Sequence, residues 1–218
     1  MSIKQVIVVD FDETLVFQNT LLLLHQYLTK QSALWSIFGA IQHINQCIPA
    51  IEGEPELDKY RGVHERLKAE MYDAALSGRS EKDIIMAADA LHTKISVNSS
   101  VWMMIQSILD GNTFFIIATA SLEVFVRRYL EHVAISPNKI IGSVPELQNN
   151  IFNGKLVGRE CAGLIKGLRV RNYLASHFPN VHISAFGNLP ADRQMMALAD
   201  EAWVIRRGLI KPFNNLSR

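Results

Sequence analysis

The chain has 218 residues, 49% hydrophobic and 20% charged, enough apolar material for one sizeable core and too much for wholesale disorder. A formal net charge of +1 leaves no footprint for nucleic acid and no polyanionic tail. Cys47 and Cys161, the only cysteines, lack the spacing of a metal or redox pair and fit free thiols in a reducing compartment.

Met1 to Gln5 leads straight into a strand without a signal-peptide pattern, so a cytoplasmic protein is expected. No apolar run approaches the ~20 residues of a membrane-spanning helix. Val6 to Val9 is a β-branched run that predicts a central strand of a parallel sheet. It ends in Asp10-Phe11-Asp12-Glu13-Thr14, at the strand end where such sheets bind ligands. Two carboxylates this close repel each other, and a hard divalent cation such as Mg²⁺ relieves the repulsion. Taken alone, the same D-x-D also fits a solvated strand end or an Asp turn.

From Thr20 to about Ser100 the pattern is helical. Leu21 to Leu24, Leu28, Leu34, Trp35, Ile37, Phe38, Ile41 and Ile44 recur at helical intervals, and Pro49, Gly53 and Pro55 interrupt them. A second run covers about Leu57 to Leu76, and Ser80 caps a third from Glu81 to about Lys94. These runs predict an all-helical cap over 17–99, inserted into an α/β core of 1–16 and 100–218 and placed to act as a lid.

Strand–helix alternation then resumes. Val101–Leu109 reads as a helix, Thr113–Thr119 as a buried strand, and Ser121 as the cap of the next helix. Lys139–Ile141 is a short strand, Phe152–Leu156 a hairpin turn around Asn153-Gly154, and Leu164–His177 a helix. Val181–Phe186 is a strand and Glu201–Ile205 the last one. The expected fold is a Rossmann-like parallel sheet with helices on both faces.

Further polar residues fall at the ends of core elements. Thr119 closes a strand beside helix-start N–H groups that can hold an anionic oxygen, or it merely caps the helix. Lys166 opens a helix where the macrodipole disfavours a cation, which makes sense if it reaches an anion or the carboxylates; a solvated lysine is the plainer reading. Gly187 permits a sharp turn, and Asn188 and Asp192 supply oxygen ligands or simply build that turn.

In this order the motifs resemble the haloacid dehalogenase superfamily, most closely its phosphoserine phosphatase-like branch. Asp10-Phe11-Asp12-Glu13-Thr14 matches the first motif, Thr119 the second, Lys166 the third, and Gly187-Asn188-Leu189-Pro190-Ala191-Asp192 the fourth. The resemblance implies a Mg²⁺-dependent phosphomonoester hydrolase in which Asp10 attacks phosphorus and forms an aspartyl-phosphate. Asp12 then serves as acid and base, and Thr119 and Lys166 hold the transferring group. Thr14 and Ser121 are assigned to substrate binding, and Asp10, Asp12, Asn188 and Asp192 to the metal. The family usually carries an acidic residue where this chain has Asn188, so one negative charge is lost and weaker metal binding is expected.

The substrate is left open. The cap has few obvious recognition groups, though Arg61, His64, Arg66 and Lys68 could face the site, and the expected partner is a small phosphomonoester, with no nucleic acid. The apolar cap also suits a lipid phosphate met by peripheral contact with a membrane. A third reading takes Asn188 as the mark of a decayed metal site in a binding or regulatory module. Phosphotransfer to an acceptor other than water uses the same residues.

Overall fold

The computed structural model describes residues 3–30 and 67–213. The helical pattern expected between Leu34 and Ile44, the Pro49–Pro55 break, and Arg61, His64 and Arg66 lie outside the described residues.

Six strands form one sheet: β1 (Gln5–Asp10), β2 (Thr113–Leu122), β3 (Lys139–Ser143), β6 (His182–Gly187), β7 (Glu201–Arg206) and β8 (Leu209–Pro212). A separate hairpin pairs β4 (Pro145–Gln148) with β5 (Ile151–Leu156). The sheet order is β3-β2-β1-β6-β7-β8, parallel throughout except for β8, which returns antiparallel to β7.

The β-branched run of β1 explains its central place, because alternate side chains serve opposite faces. Ile7 and Val9 enter one buried cluster with Leu24, Leu76, Ile84, Ile105 and Phe125 from five helices. Val6 and Val8 enter the other, with Val170 and Leu174 from the Gly163–His177 helix. Each such side chain, fully buried, stabilises the fold by ~1.5–3 kcal/mol. The sheet is therefore covered on both faces, as the pattern predicts.

The chain leaves β1 through a single wide turn, Phe11–Leu15, closed by Val16 N–H donating to the Phe11 carbonyl at 3.0 Å. Val16 pairs with Val97 in an antiparallel bridge, and Asn98 N–H donates to the Leu15 carbonyl at 2.8 Å. The outgoing chain near residue 16 and the returning chain near residue 97 thus run side by side. Between them stand the helices Thr20–Thr29, 67–76 and Glu81–Leu91. Arg79 fastens the first two, its guanidinium donating to the carbonyls of Leu28 (2.7 Å) and Ala75 (3.0 Å). Ser80 opens the Glu81–Leu91 helix, its N–H and hydroxyl both 2.7 Å from the Asp83 carboxylate.

Three sequence expectations are corrected. The hairpin turn is Asn149-Asn150, both left-handed at φ 53° and 64°, as a two-residue β-turn of this kind demands. Asn153-Gly154 lies inside β5 instead, where a Cβ at Gly154 would stand 2.3 Å from Asp73 Oδ1. That glycine serves the close approach of the 67–76 helix. Glu201–Arg206 is not the last strand, because Arg207-Gly208, at φ 50° and 79°, turns the chain back into β8. Ser121 does not cap the Glu123–His132 helix: β2 continues to Leu122, the cap position, which makes no side-chain cap bond.

Candidate active site

Register brings the site together. Asp10 ends β1 opposite Ala118 of β2, so Thr119 lies one residue further on; Val9 is opposite Phe186 of β6, so Gly187 and Asn188 follow beside Asp10. Strand order runs away from β1 in both directions, and the carboxyl ends of three adjacent strands form the crevice where such sheets bind ligands.

Lys166, on the first turns of its helix, is buried between two carboxylates. Its Nζ lies 2.7 Å from Asp10 Oδ1 and 2.6 Å from Asp192 Oδ1. Burial works against the ammonium, but Asp10 and Asp192 outweigh it and hold Lys166 well above the usual lysine range. Burial, followed by the Asp192 carboxylate, pushes Asp10 up to about 8 against the pull of Lys166. The second oxygen of Asp192 accepts from the Asn188 N–H at 2.9 Å, so this carboxylate is engaged on both sides and stands behind the lysine. Gly187 makes that arrangement possible, since a Cβ there would fall 2.7 Å from the Asp192 Cβ. Gly187→Ala is expected to lower stability by ~2 kcal/mol through this crowding, read as a fall in melting temperature with the loop displaced.

Asp12 is held differently. Its Oδ1 accepts from Thr20 N–H and Thr20 Oγ1, both at 2.6 Å, and its Oδ2 from Ser121 Oγ at 2.6 Å. The two hydroxyls also lie 2.8 Å apart. The two hydroxyls thus grip the carboxyl from both sides while touching each other. Burial raises Asp12, opposed by the bonds from Ser121 and Thr20.

Thr119 is fully buried, and its Oγ1 accepts the Ser121 N–H at 3.0 Å. Thr14 is not joined to the others. Among the described residues its buried hydroxyl has no hydrogen-bond partner, and its carbonyl accepts from Asn98 Nδ2 at 3.3 Å. Thr20 is the residue that sequence reasoning missed; its one signal was its position at the first helical residue after D-x-D.

For a metal, one ammonium faces three carboxylates, those of Asp10, Asp12 and Asp192, which leaves excess negative charge. Among the described residues no cluster of three or more His, Cys, Asp or Glu forms a cage of its own. The available oxygen donors are the free oxygen of Asp10, the Asp12 carbonyl and the Asn188 side chain. The Asn188 amide nitrogen faces the Asp12 carbonyl at 3.1 Å, and turning the amide over presents its oxygen instead. Hard oxygens beside excess negative charge fit Mg²⁺, with water and substrate completing the shell.

A cavity of about 840 Å³ lies between the 67–76 helix and the start of the Lys166 helix, lined by Lys68, Tyr72, Leu156, Glu160, Ala162 and Ile165 among others. Tyr72 Oη donates to Glu160 Oε1 at 2.9 Å, and Lys68 pairs with the other oxygen of Glu160. Burial, then Glu160, pushes the Tyr72 phenol well above its usual range.

The chain belongs to the haloacid dehalogenase-like hydrolase family, whose model matches residues 7–197. Its fold is shared with solved structures of low sequence identity. A HAD family hydrolase from Salmonella enterica serovar Typhi is 13% identical with a TM-score of 0.62; the match covers 91% of this chain and 61% of that one, so this chain spans less than two thirds of its length. A phosphoserine phosphohydrolase-like protein from Francisella tularensis is 14% identical (TM-score 0.62, 93% and 86% covered). A phosphoserine phosphatase, solved as a phospho-aspartyl intermediate analogue, is 13% identical (TM-score 0.58, 92% and 86% covered). No curated protein matches the chain. None of the described helices is long and apolar enough to cross a membrane.

Proposed function

We propose that this protein is a Mg²⁺-dependent phosphomonoester hydrolase working through an aspartyl-phosphate. The observation that carries the reading is Lys166 bound to one oxygen of Asp10 at a central strand end, with the Asp12 carboxyl held two residues further on. The other Asp10 oxygen forms a bond to phosphorus as the bond to the leaving alkoxide breaks, and Asp12 gives that alkoxide its proton. Asp12 then takes a proton from water, whose oxygen bonds to phosphorus as the Asp10–phosphorus bond breaks. Lys166 and Thr119 hold the phosphoryl oxygens, and positioning with charge neutralisation supplies most of the acceleration. Mg²⁺, held by Asp10, the Asp12 carbonyl and Asn188, supplies neutralisation of the phosphate charge.

The segment 17–99 serves as the cap, and the 840 Å³ cavity takes the alcohol half of the substrate, a small cytoplasmic metabolite. Phosphate release from p-nitrophenyl phosphate, phosphoserine, sugar phosphates and lipid phosphates tests the proposal. Release that needs Mg²⁺ supports it, a preference for lipid phosphates replaces the metabolite by a lipid, and no release from folded protein in millimolar Mg²⁺ turns the reading to a binding module. Asn188→Asp restores a charged ligand and is expected to lower the Mg²⁺ concentration for half-maximal activity by about tenfold or more. An unchanged requirement would remove Asn188 from the metal shell.

A further inference from the structure

We infer that Thr20 is a positioning residue of this site, which with Ser121 fixes the direction of the Asp12 carboxylate. The inference rests on the phosphatase reading for its chemistry and on three short contacts for its geometry. Thr20 is fully buried and opens the Thr20–Thr29 helix, behind the N-cap Asn19, whose side chain accepts from Leu22 N–H at 3.1 Å. The Thr20 N–H therefore has no partner within its helix and points outward with the positive end of the helix dipole. It meets Asp12 Oδ1 at 2.6 Å, and the Thr20 hydroxyl meets the same oxygen at 2.6 Å. Ser121, on β2, grips the other oxygen at 2.6 Å and touches the Thr20 hydroxyl at 2.8 Å.

Two elements that are 101 residues apart in the chain thus hold one carboxyl from both sides. A carboxyl that hands a proton to a leaving oxygen works only within a narrow range of angle and distance. Thr20 makes no contact with phosphate in this role. It keeps Asp12 from rotating, and it ties that orientation to the first helix after the strand, the entry to residues 17–99.

Thr20→Val keeps the shape and the backbone N–H but removes the hydroxyl, and Thr20→Ser keeps the hydroxyl. Leaving groups separate a loss of proton donation from a general loss. An alkyl phosphate needs its oxygen protonated as it departs, whereas p-nitrophenyl phosphate releases a stable phenolate. With Mg²⁺ present, Thr20→Val is expected to lower kcat on an alkyl phosphate by about 10-fold to 100-fold. The loss on p-nitrophenyl phosphate should be several times smaller, KM should be nearly unchanged, and Thr20→Ser should restore most of the rate. Equal losses on both substrates, or no rescue by serine, would overturn the inference. A crystal structure of Thr20→Val tests the geometry without turnover: a rotated Asp12 carboxyl is expected, and an unmoved one overturns the role. Absence of turnover in the unmodified protein counts against the phosphatase reading, and the crystal structure still decides on Thr20.

Discussion

Asp10→Asn should give a folded protein whose phosphate release falls by at least about 10⁴-fold, because an amide of the same shape cannot attack phosphorus. The substitution is informative because its effect on stability has the opposite direction. Asp10 and Asp192 share one buried ammonium, and burial with like-charge repulsion already pushes Asp10 up to about 8. Removing one of the two carboxylates relieves that repulsion, so the melting temperature should hold or rise while activity disappears. Phosphate release and a thermal melt on the same sample read both. Turnover within tenfold of the unmodified chain would eliminate Asp10 as the nucleophile.

Lys166→Met should damage both properties. Two carboxylates would remain buried without their cation, and leaving a buried charge unpaired costs ~3–5 kcal/mol. The loss should also depend on pH with a definite sign. Lys166 pulls Asp10 downward, so its removal raises Asp10 further above the ordinary carboxyl value. The folded variant then holds a proton that the unfolded chain releases at about pH 4. Where the native state binds more protons, stability falls as pH rises. Because Asp10 stands at about 8 in the unmodified protein too, both folded proteins keep its proton through mild acid and neutrality. The gap should be steady there and widen above about pH 8, where the unmodified protein releases that proton and the variant still holds it. Chemical denaturation at several pH values checks this, and a pH-independent gap would show that the two carboxylates are not held together by this lysine. Phosphate release should also be nearly lost, since the same ammonium holds the phosphoryl oxygens.

The parts of the site carried by strand ends could be read from the chain, because a β-branched run and the polar residue that closes it are neighbours in sequence. Asp10, Thr119 and Asn188 follow Val9, Ala118 and Gly187, and the register sets them side by side. Lys166 was legible as a cation in the wrong place on a helix, and the two carboxylates give the reason. Thr20 was not legible, because its partner on β2 is fixed by how a helix packs on the sheet and not by spacing. Ser121 failed for the same reason: a serine just before a helix looks like a cap until the third dimension offers it a carboxylate. Asn153-Gly154 had the composition of a turn, but close contact with another helix also demands glycine, and sequence alone does not separate the two causes. β8 is four residues long and ends in proline, too short for periodicity to register.

The pairing of Val16 with Val97 also bears on how this molecule can change over time. Two chain ends already held as neighbours can be joined by segments of very different length. The closure entropy grows only with the logarithm of that length, about 0.6 kcal/mol for each doubling. A longer or shorter connection therefore costs the fold little in closure entropy, provided that Leu24, Leu76 and Ile84 still pack under β1 and Thr20 still holds Asp12. New selectivity can be tried by varying the rest of what lies between these ends, while those contacts and the strand ends of β1, β2 and β6 keep the reacting groups in place.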